Sequence, residues 1–324
     1  MTVQQEAIWT LVLPEATVGP GAVDWPRRWA LSRIMDRGGH RQLPVKGAYD
    51  VIGWSVTGHV SPTTTWAPAP VCWVADFSGD PPLGAIRIDP VHLAAGPRGL
   101  TLVPAEQLDV NPAEAGRLLG AVAESVQPKA VGVRLGAPDR WYMTAAHAPD
   151  APWWTPQQVA ARDLLDCLPS GDESIDLKRI LNEIQVILHH QPDNARRREQ
   201  GRPEINSVWP WGWAYRPLLR VGSVVTRVYG DHPYAVGLAR LAGIEVLEPF
   251  EVEKEMSSAA VVIPAGRHGS DPEWLERTWC RPLLKSLARG RISGVRIVTE
   301  AGRVFEIDAR DRRKFWRGSR RGSG

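Results

Sequence analysis

No two cysteines in this sequence lie close enough to clip a metal or a redox pair. Cys72, Cys167 and Cys280 are far apart and form no C-x-x-C motif, which excludes a zinc ribbon and a thioredoxin-type centre. An odd number of isolated thiols fits a reducing compartment, each thiol acting as a small buried hydrophobe. Long apolar runs are missing too, since none approaches the roughly 18 residues needed to span a bilayer. The apolar stretch Ile8 to Leu13 is too short for a signal segment and has no basic flank. These absences lead us to expect a cytoplasmic protein with no membrane association. The net charge of +3 is too small to argue for nucleic acid. Basic residues do gather in 310–324, RDRRKFWRGSRRGSG. That segment reads as a flexible tail, and it is the one place where nucleic acid or an acidic partner could be held.

The chain is otherwise ordinary for a globular protein, with 43% hydrophobic and 23% charged residues over 324 positions. Apolar runs at Ile8 to Leu13, Val71 to Ala75, Ala85 to Ile88 and Ala259 to Pro264 predict buried strands. Helices are predicted over Trp25 to Asp36, Pro112 to Ser125, Thr155 to Asp166, Glu173 to His190, Pro233 to Ala242 and Asp271 to Arg289. Residues 44–70, rich in Gly, Pro and Thr, read as loop. Ala130 to Leu135 and Trp141 to Ala145 read as strands around a turn at Ala137-Pro138-Asp139. Ile292 to Thr299 and Arg303 to Ile307 read as a hairpin turned by Glu300-Ala301-Gly302. Strands and helices are interspersed, so the expected class is α/β or α+β. The architecture would be a mixed central sheet with flanking helices and a C-terminal β-hairpin. One domain over 1–324 accommodates this, with a possible subdivision into 1–150 and 151–324 at the Pro- and Trp-rich stretch 149–156.

Two segments carry unusual chemistry. On the helix Glu173 to His190, Leu177, Ile180, Leu181, Ile184 and Leu188 fall on one face, the core stripe. The opposite side carries Asn182, Gln185 and His189. A solvated face usually holds Lys, Glu and Arg, whereas amides and imidazoles suit specific hydrogen bonds. That face either lines a polar cavity or is surface of accidental composition. The second segment, NSVWPWGWA at Asn206 to Ala214, places Trp209, Trp211 and Trp213 at a spacing of two. In an extended chain they share one side. Pro210 confines the segment to an edge or an irregular stretch, and Gly212 permits close backbone approach. Core packing, a ligand wall and a partner patch all fit three indoles. If the wall reading holds, Asn206 and the amide stripe supply hydrogen bonds, and Trp209 or Trp211 supplies the apolar side. Trp213 should then be the most exposed of the three.

The block LNEIQVILHHQPDNARRREQGRPEINSVWPWGWA at 181–214 resembles the bacterial regulatory-protein RpfE-type family. Its hallmarks are a helix like LNEIQ…LH, a loop N…RE..G, and N-S-hydrophobic-W-x-W-G. IRIDPVHLAAG at Ile86 to Gly96, RWYM at Arg140 to Met143, TWCRPLLKSLARG at Thr278 to Gly290 and a late FWR add to the resemblance. That family in turn resembles cofactor-independent phosphoglycerate mutases of the alkaline-phosphatase-like superfamily. The resemblance implies two divalent metals, Asp and His ligands and a Ser nucleophile. The sequence departs from that pattern. Ala214 stands where the motif ends in glycine. In VVIPAGRHGSD, Arg267-His268-Gly269 stands where an Asp-His-Gly metal motif is expected, and arginine repels a cation. Asp76, Ser78 and Asp80 follow an apolar run but are also ordinary turn residues. His232 follows Asp231 with no spaced partner.

The expectation is therefore that no cofactor or metal is held. The chain would bind a small anionic or phosphorylated metabolite, or a protein partner, in a regulatory role. Its candidate ligand-binding residues are Asn182, Gln185, His189, Asn206, Trp209, Trp211, Gly212, Asp89, His92 and Arg140. Asp89 and His92, in DPVHL, serve equally well as turn and structural groups. The alternatives are a metal-dependent phosphomutase or phosphohydrolase with a rearranged site, and an interaction subunit.

Overall fold

The computed structural model describes residues 7–13, 25–26, 29–45, 47–59, 67–77, 79, 81–82, 84–96, 99–126, 132–144, 154–160, 162–168, 175–213, 221–248, 258–263 and 271–309. In chain order these form β1 (Ile8–Leu13), α1 (Ala30–Arg37), β2 (Gly39–Gln42), α2 (Ala48–Thr57), α3 (Pro68–Asp76), β3 (Ala85–Gly96), β4 (Gly99–Pro104), α4 (Pro112–Val126), β5 (Gly132–Ala137) and β6 (Arg140–Thr144). There follow α5 (Pro156–Val159), α6 (Leu164–Cys167), α7 (Ile175–His189), α8 (Pro192–Glu199), β7 (Ser207–Trp211), β8 (Arg227–Tyr229), α9 (Pro233–Ala242) and β9 (Glu245–Leu247). The last elements are β10 (Ala260–Val262), α10 (Pro272–Leu275), α11 (Arg281–Ala288), β11 (Gly294–Thr299) and β12 (Arg303–Asp308). This is a mixed α/β protein with two sheets rather than one. It divides into a unit of residues 1–63 with 219–324 and an inserted unit of 64–218, so the suggested cut at 150 falls inside the insertion.

In the first unit the sheet order is β2-β12-β11-β1-β10-β8-β9. β1 runs parallel to β10 and β11, β8 runs parallel to β10 and β9, and the β11–β12 hairpin and β2 pair antiparallel. From Trp9 to Leu13 every side chain of β1 is buried, which is why this strand reads as a continuous apolar run rather than an alternating one. Trp9, Tyr229 and Trp279 pack with ring centroids 5.3–6.3 Å apart in the core. The first turn of α1 has no side-chain cap from its own N-cap residue. Its orphan N–H groups are met from across the chain, where Ala30 N and Leu31 N donate to the buried Glu276 carboxylate at 2.9 and 3.2 Å. Gly230 has φ +127°, and a Cβ there would lie 2.2 Å from the Ile263 carbonyl oxygen. Only glycine lets β8 end so close to the end of β10.

The inserted unit is built on β3, a 12-residue strand. Arg87 pairs with both Tyr142 of β6 and Trp211 of β7, and Val91 pairs with both Pro104 of β4 and Ser207 of β7. A residue has one neighbour per edge, so β7 occupies one edge of β3 while β6 and β4 follow one another along the other. β7 pairs with β3 alone among the described strands, so Pro210 withholds its missing donor at an edge. Helices α4 and α7 cover the sheet. Leu181, Ile184 and Leu188 pack with Leu118, Val122, Trp141, Ile205 and Val208, and Ile180 packs at the margin. The core stripe read from the sequence is thus in place, except that the Leu177 side chain lies outside the described residues.

Several sequence expectations are corrected. Residues 44–70 are not simply loop, because Ala48–Thr57 is a helix with Val51, Ile52 and Val56 buried. Val71 to Ala75 is not a strand but the body of α3. A short apolar run has no period of its own, and Pro68 at the first turn tips it to helix. The loop expected after His190 contains α8, which opens on Pro192 and Asp193 and closes on Arg196, Arg197 and Arg198, in accord with the helix dipole. The helix expected over Thr155 to Asp166 opens on a capping box between Thr155 and Gln158, stops at Val159 and resumes as α6. The basic tail 310–324 and the segment holding Arg267-His268-Gly269 lie outside the described residues, as do Ser78, Asp80 and Ala214. No helix among the described residues is long and apolar enough to cross a membrane. The three cysteines are free and buried.

Candidate functional site

The amide face of α7 does meet the start of β7. Gln185, His189, Asn206 and Leu93, with Val186 and His190, line a hollow of about 310 Å3 in the inserted unit. Gln185 Nε2 donates to Ser207 Oγ at 3.2 Å. The two imidazoles stand nearly perpendicular, 5.2 Å apart. Asn182 is exposed and is not among the lining residues. No lining residue carries a permanent charge.

Asn206 is held by the scaffold. Its Oδ1 accepts from Leu93 N at 2.7 Å, and its Nδ2 donates to Leu93 O at 2.9 Å. The side-chain amide thus imitates a peptide group and extends the β3–β7 ladder past Val91–Ser207. That leaves one N–H and one oxygen lone pair beyond the Leu93 bonds. Asn194, in the segment expected to be loop, makes a second amide clamp. Fully buried, it donates to Leu188 O and Ile205 O at 2.7 and 2.8 Å and accepts from Ile205 N at 2.8 Å. It ties the end of α7 to the start of β7, and so fixes the walls of the hollow relative to one another.

The tryptophans answer to packing rather than to the hollow. Trp209 is buried, and its Nε1 donates to Trp154 O at 2.7 Å. Trp211 is buried, and its Nε1 donates to Asp89 Oδ2 at 2.7 Å. Trp213 is half-buried and is the most exposed of the three. Gly212 has φ +71°. Its carbonyl accepts from Ala69 N at 2.8 Å, and a Cβ would meet that nitrogen at 3.1 Å. This glycine lets α3 close on the end of β7.

Asp89, His92 and Arg140 are likewise engaged away from the hollow. Arg87 grips Asp89 with two hydrogen bonds of 3.0 and 2.7 Å and lies over the Trp211 ring at 4.4 Å. Burial pushes the Asp89 carboxyl up to about 6, against the opposing pull of Arg87 and the Trp211 N–H. Arg140 makes a two-point pair with Asp76 at 2.7 and 2.8 Å, and Tyr142 donates its hydroxyl to the same carboxylate at 2.5 Å. Burial raises the Tyr142 phenol far above its ordinary range, so it stays protonated as a donor. Burial also lifts the Cys72 thiol beside Arg87 to about 11, which leaves it a poor nucleophile near neutral pH. His92 Nδ1 lies 2.9 Å from Glu204 O. These groups are satisfied internally, and together they hold β3, β6, β7 and α3 in register.

In the first unit a different feature stands out. β8 connects through α9 outward to β9, whereas β10 connects through α10 and α11 back past β1 to β11. The connections of the neighbouring strands β8 and β10 therefore leave in opposite directions. Such a switch point opens a crevice at the carboxyl ends of the strands, the usual ligand position in open α/β sheets. Asp231 and His232 follow β8 there, and the His232 and Tyr234 rings stand 5.8 and 5.1 Å from Tyr49. A two-metal centre needs several carboxylates and imidazoles together. Among the described residues no three His, Cys, Asp or Glu side chains converge in a way that could hold a metal ion. The described side chains at this edge do not fit such a centre.

No family model matches the chain. A stretch of 101 residues is 28% identical to a probable 2,3-bisphosphoglycerate-independent phosphoglycerate mutase of Geobacter sulfurreducens. A stretch of equal length is 26% identical to the 2,3-bisphosphoglycerate-independent phosphoglycerate mutase of Methanosarcina barkeri. Each match covers 29% of this chain and 24% of the relative. Over nearly the whole chain the fold is similar to the PH0037 protein of Pyrococcus horikoshii, with a TM-score of 0.53 at 15% identity, covering 93% of this chain and 87% of that one. The chain is thus distantly related, over part of its length, to cofactor-independent phosphoglycerate mutases.

Proposed function

We propose that this chain is a phosphoglycerate-mutase-related binding protein of RpfE type. It recognises a small phosphorylated metabolite and serves a regulatory role without a metal centre. The observation that carries the reading is the hollow between α7 and the β3–β7 ladder, with Gln185, His189, His190 and Asn206 lining one space. A few converging polar groups beside aliphatic ones, here Leu93 and Val186, are what a small-molecule site requires. The ligand class comes from the names of the relatives, which act on phosphoglycerates. Amides and imidazoles would meet its hydroxyl and carboxyl oxygens.

The test is calorimetric titration of the whole chain with 3-phosphoglycerate and, separately, 2-phosphoglycerate. Saturable binding is expected, weakened about tenfold or more by Gln185→Ala, the loss of one hydrogen bond to a charged ligand. No binding heat for either, or equal affinity in Gln185→Ala, counts against the hollow. Phosphorus NMR of the same mixtures, with magnesium added, tests a second reading: a metal-dependent phosphomutase using the crevice between β8 and β10. The switch-point topology favours that alternative. Interconversion of the two phosphoglycerates that survives Gln185→Ala would establish it in place of the first.

A further inference from the structure

The α4–α8 pair carries two carboxylate–guanidinium rungs of different kinds. The inner rung is complete. Arg197 Nε and Nη2 grip Glu114 at 2.6 and 2.7 Å, while Nη1 donates to Leu108 O and Pro203 O at 2.9 and 3.0 Å. Both side chains are at most 5% exposed, and their charges cancel.

The outer rung has one carboxylate for two guanidiniums. Arg117, one turn along α4 from Glu114, gives Asp193 Nε and Nη2 at 3.1 and 2.6 Å. Arg196, beside Arg197, donates Nη2 to the same Asp193 Oδ1. Asp193 is only 5% exposed, whereas Arg117 and Arg196 are each 53% exposed. The Arg117 hydrogen bonds hold the Asp193 carboxyl below the usual range, with Arg196 adding to the effect. The cluster therefore carries one net positive charge near neutral pH. Among the described residues Arg117 Nη1 and Arg196 Nε and Nη1 make no hydrogen bond. A buried carboxylate thus positions two solvent-facing guanidiniums, and the inner rung fixes the helices that bear them. Orientation that is already in place removes much of the ordering cost of binding, and guanidinium forks match tetrahedral oxyanions.

We propose that Arg117 and Arg196 form an oxyanion site that takes the phosphate group of a small molecule. The site uses none of the side chains that line the hollow, and it does not rest on the reading given above. The probe is inorganic phosphate, added to uniformly 15N-labelled full-length protein at constant ionic strength, with chloride as the balancing salt. The Nε–Hε resonances of Arg117 and Arg196, assigned through Arg→Gln variants, report the site. A saturable shift of both is expected, with the Kd raised about tenfold in Arg196→Gln, the loss of one charge-assisted contact. Arg196 is half exposed, and an unchanged thermal midpoint of that variant checks that the fold is intact. Gln185→Ala should leave the phosphate shifts unchanged, which separates this site from the hollow. Shifts that stay linear with phosphate, or that chloride reproduces, would overturn the proposal. So would a Kd unaltered in both Arg196→Gln and Arg117→Gln.

Discussion

At the scale of single residues, the polar side chains that look most chemical in this sequence are largely spent on holding backbone and neighbours. Asp89 illustrates the cost. It is buried, and its carboxyl stands at about 6 against a reference value of 3.8. The folded state therefore binds a proton at Asp89 more tightly than the unfolded chain does. By linkage, this group contributes most stability below the unfolded value and loses it as pH rises from 3.8 to about 6. The difference in unfolding free energy between wild type and Asp89→Asn should fall across that window and flatten at higher pH. Denaturant titrations at a series of pH values would measure it. A difference that climbs with pH would mean that Arg87 outweighs burial.

At the scale of elements, α8 is decided by one buried pair. Nothing in a run of three arginines says which one turns inward, yet Arg197 is 1% exposed while its neighbours Arg196 and Arg198 face solvent at about half exposure. Arg197→Met leaves Glu114 charged in the interior, and a stability loss of about 3–5 kcal/mol is expected. Changing both partners, Arg197→Met with Glu114→Leu, should recover a large part of it, since no uncompensated charge remains. Chemical unfolding of the two single variants and the double variant closes the cycle. Equal losses in the single and double variants would show that packing rather than charge sets the cost.

At the scale of the molecule, residues 64–218 form a compact unit with its own sheet and its own hydrophobic cluster. That cluster draws on α4, α7, β3, β6 and β7, all inside the insertion. An excised 64–218 fragment should therefore fold alone and melt cooperatively. Its near-ultraviolet circular dichroism should carry the signal of the packed Trp141, Trp209 and Trp211 rings. A fragment with helical signal but no cooperative transition would show that the insertion depends on the rest of the chain.

The sequence by itself determined those features whose cause is local. Periodicity fixed the inner face of α7, so Leu181, Ile184 and Leu188 could be named as core. The turn residues 300–302 fixed the C-terminal hairpin, and Pro210 confined its segment to an edge or an irregular stretch. The polar side of α7 reads as Asn182, Gln185 and His189; of these Gln185 and His189, but not Asn182, line a hollow with Asn206. The tertiary structure decided everything that depended on partners distant in sequence. Short apolar runs such as Val71 to Ala75 have no period to tell helix from strand, so only packing settled α3. In the sequence the indoles of Trp209 and Trp211 fit a ligand wall or a core; in the structure both are buried, and Trp154 and Asp89 receive their N–H groups. Asn206 reads in the sequence as a ligand-binding group, but only the structure shows that Leu93, 113 positions away, holds both ends of its amide in place. A hydrogen-bonding group shows its chemistry in the sequence, but which partner satisfies it is set by the chain's return path. In the inserted unit β3 and β7 bring those partners together.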